Sequence, residues 1–265
     1  MSATATDSLL SVRDVTLRFG GVAALTGVDF DVYAGELFAV IGPNGAGKTS
    51  IFNCLNAVYR PQQGSIRFDG TELVGKKPGL TAKLGIARTF QNLGLFVNLD
   101  VVDNLMLGRH LRMRTGFLTG ALWVGPARRE EIANRRRVEE IIDLLELGPH
   151  RRTHVGSLPY GIQKRIEMGR ALAMDPRLLL LDEPVAGMNL EETQDMARAI
   201  LEVQRTGVAM ILVEHDMQMV MDIADRVMAL DFGVPIATGS PAEIQADERV
   251  IEAYLGTSAT SEVPR

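Results

Sequence analysis

The stretch "GPNGAGKTS", Gly42 to Ser50, limits what this chain can fold into more than any other of its length. It matches G-x-x-x-x-G-K-[ST] at every required position, and it stands between the unbroken apolar run "LFAVI" and the helical pattern "TSIFNCLNAV". A strand must therefore end, turn sharply and enter a helix. Glycines let the backbone bend until successive N–H groups point inward around an anion, and the helix N-terminus adds the positive end of its dipole. On this reading Gly42, Pro43, Asn44, Gly45, Ala46, Gly47, Lys48, Thr49 and Ser50 form a cradle for phosphates. Lys48 brings a full charge to the β- and γ-phosphates, and Thr49 offers its hydroxyl to Mg²⁺. A glycine-rich turn with a stray lysine is the bland alternative, and the flanking strand and helix count against it. The motif implies a nucleoside triphosphate and leaves its use open.

The surrounding pattern supplies a fold for that loop. "LLSVRDVTLRF" (Leu9 to Phe19) and the first part of "GVDFDVYAGELFAVIG" (Gly27 to Gly42) alternate apolar and polar residues, the period of half-buried antiparallel strands. "LFAVI" is apolar throughout, as a central strand covered on both faces must be. "GSIRFDGTEL" reads as another strand with a turn, "RLLLLDE" and "GVAMILVEHD" as two more buried strands, and "RVMALDFGVPIATG" as a closing hairpin. From about Asp100 to Leu147 the pattern is helical. Strands alternating with helices predict an α/β fold with a mainly parallel core sheet and an N-terminal antiparallel β subdomain. The closing "TSATSEVPR" is small and polar, which predicts a flexible tail over residues 257–265.

Two further motifs fall at strand ends. In "LLLLDEP" two adjacent acids follow a buried strand, at the sheet edge where open α/β sheets put their ligands. Asp182 is suited to hold Mg²⁺, directly or through water, and Glu183 to orient or deprotonate a water aimed at the γ-phosphorus. Acids also end strands and cap helices with no chemistry attached. The phosphate loop in the same chain favours the catalytic reading. In "MILVEHD", His215 stands just past another strand, where it can donate a hydrogen bond to a γ-phosphate oxygen. A lone histidine is more often structural, so this motif leaves both readings open.

Composition excludes more than it identifies. A chain of 265 residues, 46% of them hydrophobic, can bury one large domain with a subdomain. The net charge of -5 and the pI of about 5.5 provide no basic field for nucleic acid. With Cys54 as its one cysteine the chain cannot form an internal disulfide, which suits a reducing compartment. "MSATATDSLLSV" has neither a basic nor a long apolar region, and no run approaches the roughly 18 apolar residues that span a bilayer. A soluble cytoplasmic protein is expected.

In this order the motifs resemble those of the nucleotide-binding subunits of ABC transporters, from about Leu9 to Gly256. Phe19 stands where that family stacks an aromatic on adenine. "RTFQN" puts Gln91 at the glutamine that senses Mg²⁺ and the attacking water and couples to the membrane subunits. "LPYGI" begins 24 residues before Asp182, the spacing of the family's L-S-G-G-Q signature. The resemblance implies an ABC-type P-loop NTPase: one domain over residues 1–256, with a helical subdomain inserted at about 92–170. It implies ATP and Mg²⁺, with Thr49, Gln91 and Asp182 about the metal and Glu183, His215 and Gln91 as the catalytic set. It also implies a second ATPase subunit (the same chain or a paralogue), two transmembrane permease subunits and, indirectly, an extracytoplasmic solute-binding protein. The chain would then work at the cytoplasmic face of the membrane, with no nucleic acid as partner.

The signature helix looks bare of caps. With Pro159 as its first residue, the N–H groups of Tyr160, Gly161 and Ile162 lack an obvious side-chain acceptor, because Leu158 precedes them. Orphan donors at a helix start can bind an anion. In the family that anion is the γ-phosphate of ATP held by the other subunit, which makes Leu158, Tyr160 and Gly161 nucleotide-contacting residues. Water or the Ser157 hydroxyl could satisfy the same donors. The chain departs from the family pattern at Pro159 (serine), Tyr160 (glycine) and Ile162 (glutamine), and at Asn189 in "VAGMN", where an aspartate is usual.

Within the family, "GIARTFQNLGLF", the "PYG" signature, the closing "VIEAYLG" and the long segment "GRHLRMRTGFLTGALWVGPARREE" resemble the larger ATP-binding subunit of branched-chain amino acid importers. ATPases of urea, amide or lipid transporters, and soluble non-transport ABC ATPases, are the alternatives. From Arg109 to Arg152 there are ten arginines and no lysine against six acids. Either these form ion pairs on a solvated helical face, or part of them meets the anionic inner leaflet or acidic loops of the membrane subunits.

Overall fold

The computed structural model describes residues 8–89, 94–110 and 126–259. Two sheets organise them. Strands β1 (Leu10–Phe19), β2 (Val22–Val32), β4 (Gln63–Phe68) and β5 (Thr71–Glu72) form an antiparallel sheet in the order β2-β1-β4-β5. Strands β3 (Leu37–Ile41), β6 (Ile86–Arg88), β7 (Leu178–Asp182), β8 (Ala209–Val213), β9 (Arg226–Asp231) and β10 (Val234–Gly239) form the other, ordered β10-β9-β3-β8-β7-β6. All its neighbours pair in parallel except the β9–β10 hairpin.

Strands β3, β7 and β8 of the mainly parallel sheet are buried along their whole length, and the period of two sorts their side chains. From β3, Leu37, Ala39 and Ile41 join one core cluster while Phe38 and Val40 join another; β7 divides Leu179 and Leu181 from Leu178 and Leu180 in the same way. The second cluster fills the space toward the antiparallel sheet, where Phe30 and Phe38 stack with ring centroids 5.2 Å apart. Ile51, Phe52 and Leu55 of α1 (Lys48–Leu55) are buried in the same layer. Each such side chain contributes about 1.5–3 kcal/mol by leaving water. That packing fixes the axis of the helix on which the phosphate loop ends.

Helices α2 (Pro78–Leu84), α3 (Val101–Arg109), α4 (Pro126–Leu144), α5 (Tyr160–Leu172), α6 (Leu190–Arg205), α7 (Met217–Ile223), α8 (Pro241–Ala246) and α9 (Glu248–Ala259) complete the described α-helices, and short 3-10 turns lie at Gly148–His150 and Val155–Ser157. Val138, Ile141, Ile142 and Leu145, on or just past the end of α4, recur at helical spacing and bury against Val101 and Leu105 of α3 and Ile166 of α5 in the first cluster. The arginines of this region pair largely within it. Arg109 is buried, donates to Asn134 Oδ1 at 3.0 Å and to the Ala173 carbonyl at 2.8 Å, and forms an ion pair with Asp175. Arg137 reaches the other Asp175 oxygen at 2.8 Å. Arg135 pairs with Glu131 and Arg136 with Glu140 at i,i+4 spacing, Arg151 pairs with Glu139, and Arg152 with Asp100. At these positions the ion-paired helical face is what the chain forms; Arg112 and Arg114 lie outside the described residues.

Three details differ from expectation. Strand β6, three residues at the sheet edge, and α2, which opens on Pro78 and Gly79, carry too little periodicity to be read in advance. Helix α5 begins at Tyr160: Pro159, with ψ at 151°, is the extended N-cap and not the first helical residue. Helix α9 continues to Ala259, three residues into the predicted tail, and 260–265 lie outside the described residues.

Candidate nucleotide site

The carboxyl ends of β3, β7 and β8, neighbours in the parallel sheet, bring the motifs to one edge. At β3 the chain turns through Gly42, Gly45 and Gly47, all at positive φ. Gly47, with φ at 102°, caps α1 without a side-chain bond, and a Cβ there would lie 2.6 Å from the Ala24 carbonyl oxygen. Only glycine meets both demands. The loop is clipped from below: Gly233 of the β9–β10 turn donates to the Ala46 carbonyl at 2.9 Å, and its own carbonyl accepts from Thr26 at 2.8 Å. From α9 the Tyr254 hydroxyl hydrogen-bonds the Gly42 backbone, and burial pushes that hydroxyl up to about 12.

Lys48 is buried, with Nζ donating to the carbonyls of Gly42 at 2.6 Å and Pro43 at 3.0 Å. Burial lowers its pKa, while the charges of Glu183 and Asp182 oppose the shift. The two acids therefore share a field with the lysine across the loop. Asn44, Gly45 and Thr49 are exposed, and Pro43, Gly47 and Ser50 are half-buried.

Asp182 ends β7 with 3% of its surface exposed, and Arg88 of β6 pairs with it at 2.6 Å. The other terminal nitrogen of Arg88 donates to Asn53 Oδ1 of α1 at 2.7 Å, and the guanidinium lies 5.4 Å from the Phe52 ring centre. Glu183 adopts φ of 48°, a left-handed conformation rare for a residue with a Cβ, and its N–H is held by the Val213 carbonyl at 2.9 Å. Its Oε1 lies 2.9 Å from His215 Nε2. A carboxylate only accepts, so that nitrogen carries the proton. The acid and the histidine, 32 residues apart in sequence, form one unit.

Phe19 stands on the antiparallel sheet, 49% exposed, with Tyr59 packed edge-on at 5.0 Å. A half-open ring leaves a face for stacking. Leu158 is buried, Tyr160 is exposed and Gly161 is buried at the start of α5, which has no side-chain cap. The Ser157 hydroxyl is engaged with the His154 carbonyl at 2.8 Å. A Cβ on Gly161 would lie 3.0 Å from Glu192 Oε1 of α6, so α6 packs its first turn against the signature. Asn189 caps α6 by accepting from the Glu192 N–H at 3.0 Å, while the Glu192 carboxylate accepts from the Asn189 N–H at 3.1 Å. Gln91 lies outside the described residues.

Sequence reasoning missed Arg88, Asn53, Glu192 and Glu214. Arg88 and Glu214 sit inside motifs already singled out, "ARTFQ" and "VEHD", but their partners come from other strands and turns, and no local spacing announces them. The donor set fits the expected groups. Thr49 and Asp182 are oxygen ligands of the kind Mg²⁺ takes along with water and phosphate, and the loop with Lys48 suits a polyphosphate.

Together the fold and this edge define an ATP-binding cassette of the P-loop class. Residues 25–186 match the ABC transporter family, and residues 234–260 match the family described as branched-chain amino acid ATP-binding cassette transporter. The chain belongs to the ABC transporter family. It is 39% identical to the high-affinity branched-chain amino acid transport ATP-binding protein BraF of Pseudomonas aeruginosa, over 94% of this chain and 98% of that one. It is 38% identical to the protein of that description named LivG in Escherichia coli, with the same coverage. Among solved structures, the ADP conformation of an ATP-binding cassette of an ABC transporter superposes with a TM-score of 0.82 at 27% identity, covering 95% of this chain and all of that one. As a member of the family the chain is an ATPase.

Proposed function

We propose that the chain is the ATP-hydrolysing subunit of an importer for branched-chain or related hydrophobic amino acids, working at the cytoplasmic face of the membrane. The full-length similarity to two ATP-binding proteins of that description supports the solute class. The route for solute is assigned to two separate permease subunits, fed by an extracytoplasmic solute-binding protein; among the described residues no helix is long and apolar enough to cross a membrane. A second ATPase subunit, identical or paralogous, completes the assembly.

The loop from Gly42 to Ser50 grips the triphosphate, with Lys48 turning from its backbone carbonyls to the β- and γ-phosphates and Phe19 stacking on the base. Thr49, Asp182 and Gln91 would hold Mg²⁺, which would supply positive charge to offset that of the phosphates. Glu183 takes the proton of the water that attacks the γ-phosphorus. The His215 N–H that holds the carboxylate in place at 2.9 Å is also the donor that turns to the γ-phosphate once nucleotide is bound. Leu158, Tyr160 and Gly161 present the start of α5 to the nucleotide of the partner subunit, so that two chains close around two ATP molecules. Closure is passed to the permeases, and hydrolysis resets it.

The observation that carries the hydrolytic reading is the 2.9 Å contact between Glu183 and His215 at the edge shared with the phosphate loop. Glu183→Gln keeps the shape and removes the base. It should lower kcat by about 10²- to 10⁴-fold, the usual worth of a general base, with ATP binding retained in an equilibrium titration. Normal turnover in that variant would refute the assignment.

A further inference from the structure

The geometry points to Glu214 as a positioning residue for hydrolysis: its carboxylate ties the turn that carries Glu183 to the turn that carries His215. Glu214 follows β8 with 3% of its surface exposed. Its Oε1 accepts the Val185 N–H at 2.8 Å, and its Oε2 accepts the N–H of His215 at 2.9 Å. One oxygen therefore holds the turn after β7, and the other holds the turn after β8. The link closes a ring, because the His215 imidazole meets the Glu183 carboxylate at 2.9 Å, two residues before Val185.

The ring explains how Glu183 keeps its conformation. A left-handed φ of 48° on a residue with a side chain is strained and lasts only where the surroundings over-determine it. The Val213 carbonyl anchors the N–H of Glu183, and Glu214 anchors that of Val185 two positions on. Chemistry limits what can replace the anchor. Burial pushes the Glu214 carboxyl up, and the backbone N–H groups of Val185, His215 and Asp216 pull it back. Only a carboxylate accepts with both oxygens. Glutamine would set its NH₂ against one of the two N–H groups, donor against donor. Aspartate keeps the charge but is one methylene shorter, so it cannot span both turns as they stand.

This inference rests on the catalytic reading of Glu183 and His215, and the test keeps the two apart. Steady-state ATP turnover and binding of a fluorescent trinitrophenyl-ATP would be measured for the full chain and for Glu214→Gln, Glu214→Asp, His215→Ala, Glu183→Gln and the Glu214→Gln/His215→Ala pair. Glu214→Gln should lower kcat by about tenfold or more, with KM and analogue affinity within about twofold of wild type. Combined with His215→Ala it should cost little beyond His215→Ala alone, since the ring is already open. Glu214→Asp should fall between wild type and Glu214→Gln in kcat, and it serves as the decisive variant if Glu214→Gln does not fold. Wild-type kcat in the Glu214 variants, a loss shared equally with analogue binding, or full additivity with His215→Ala would overturn the proposal. Wild-type turnover in Glu183→Gln and His215→Ala would remove the catalytic reading itself, and the proposal with it.

Discussion

Arg88 and Asp182 face each other at 2.6 Å with side chains 12% and 4% exposed, so neither charge is left to water. Removing one partner strands the other, which typically costs about 3–5 kcal/mol. Arg88→Ala should therefore lower unfolding free energy in urea by about 3 kcal/mol, and by less when Mg²⁺-ATP is present, because a cation at Asp182 again balances the charge. Equal loss with and without Mg²⁺-ATP would mean that Asp182 does not meet the metal. The placement of Lys48, Asp182 and Glu183 at one sheet edge was legible in the sequence because each stands at a fixed distance from a strand end. Arg88 was not, since its partner is 94 residues away and only the β6–β7 pairing brings them together. The 2.9 Å bond between His215 and Glu183 was equally hidden, although both residues were candidates.

At the scale of elements, the start of α5 and the start of α6 form one junction. Glu192 closes the Asn189 cap and lies over Gly161, so the departure at Asn189 sits beside the start of the signature helix. Gly161→Asp puts a second carboxylate beside Glu192 and onto the uncapped N–H groups of α5. ATP binding to the isolated chain should survive and partner-stimulated hydrolysis should vanish, as phosphate release assays can measure. Gly161→Ala, whose Cβ would need only the flexible end of Glu192 to shift, should keep most of that stimulation. The bare cap was readable from Leu158 and Pro159; the packing of α6 upon it was not, because it joins segments about thirty residues apart by surface shape alone. The helical layer is anchored differently. Burial pushes the Asp175 carboxyl up, but the bonds from Arg109 and Arg137 outweigh it and hold the group below the ordinary carboxylate value. A depressed carboxylate stabilises the fold above its unfolded pKa of about 3.9, and that contribution is lost as pH falls through the lower folded value. Asp175→Asn should thus be less stable at neutral pH by about 1–2 kcal/mol, discounted for partial exposure. It should also show a shallower loss of stability below about pH 4 in urea titrations.

Over the whole molecule, the antiparallel sheet, the mainly parallel sheet and the helices between and around them serve one arrangement: three neighbouring strands ending at a common edge, with α1 clamped in the core behind the phosphate loop. That architecture was readable because alternating and continuous apolar runs obey different burial rules. Short edge elements such as β6 and α2 escaped because three to seven residues establish no period. The solute class was suggested only through likeness, since the residues at this edge have the chemistry of a phosphate and metal site and none that would read an amino-acid side chain. The central claim is that ATP held by the Lys48 loop energises import of branched-chain amino acids. Its most direct test is uptake of labelled leucine, isoleucine and valine by cells whose only copy of this chain is wild type or Lys48→Ala. Uptake that falls to background in the Lys48→Ala cells, with the variant still folded and present, is the predicted result; uptake of all three at the wild-type rate would contradict the account.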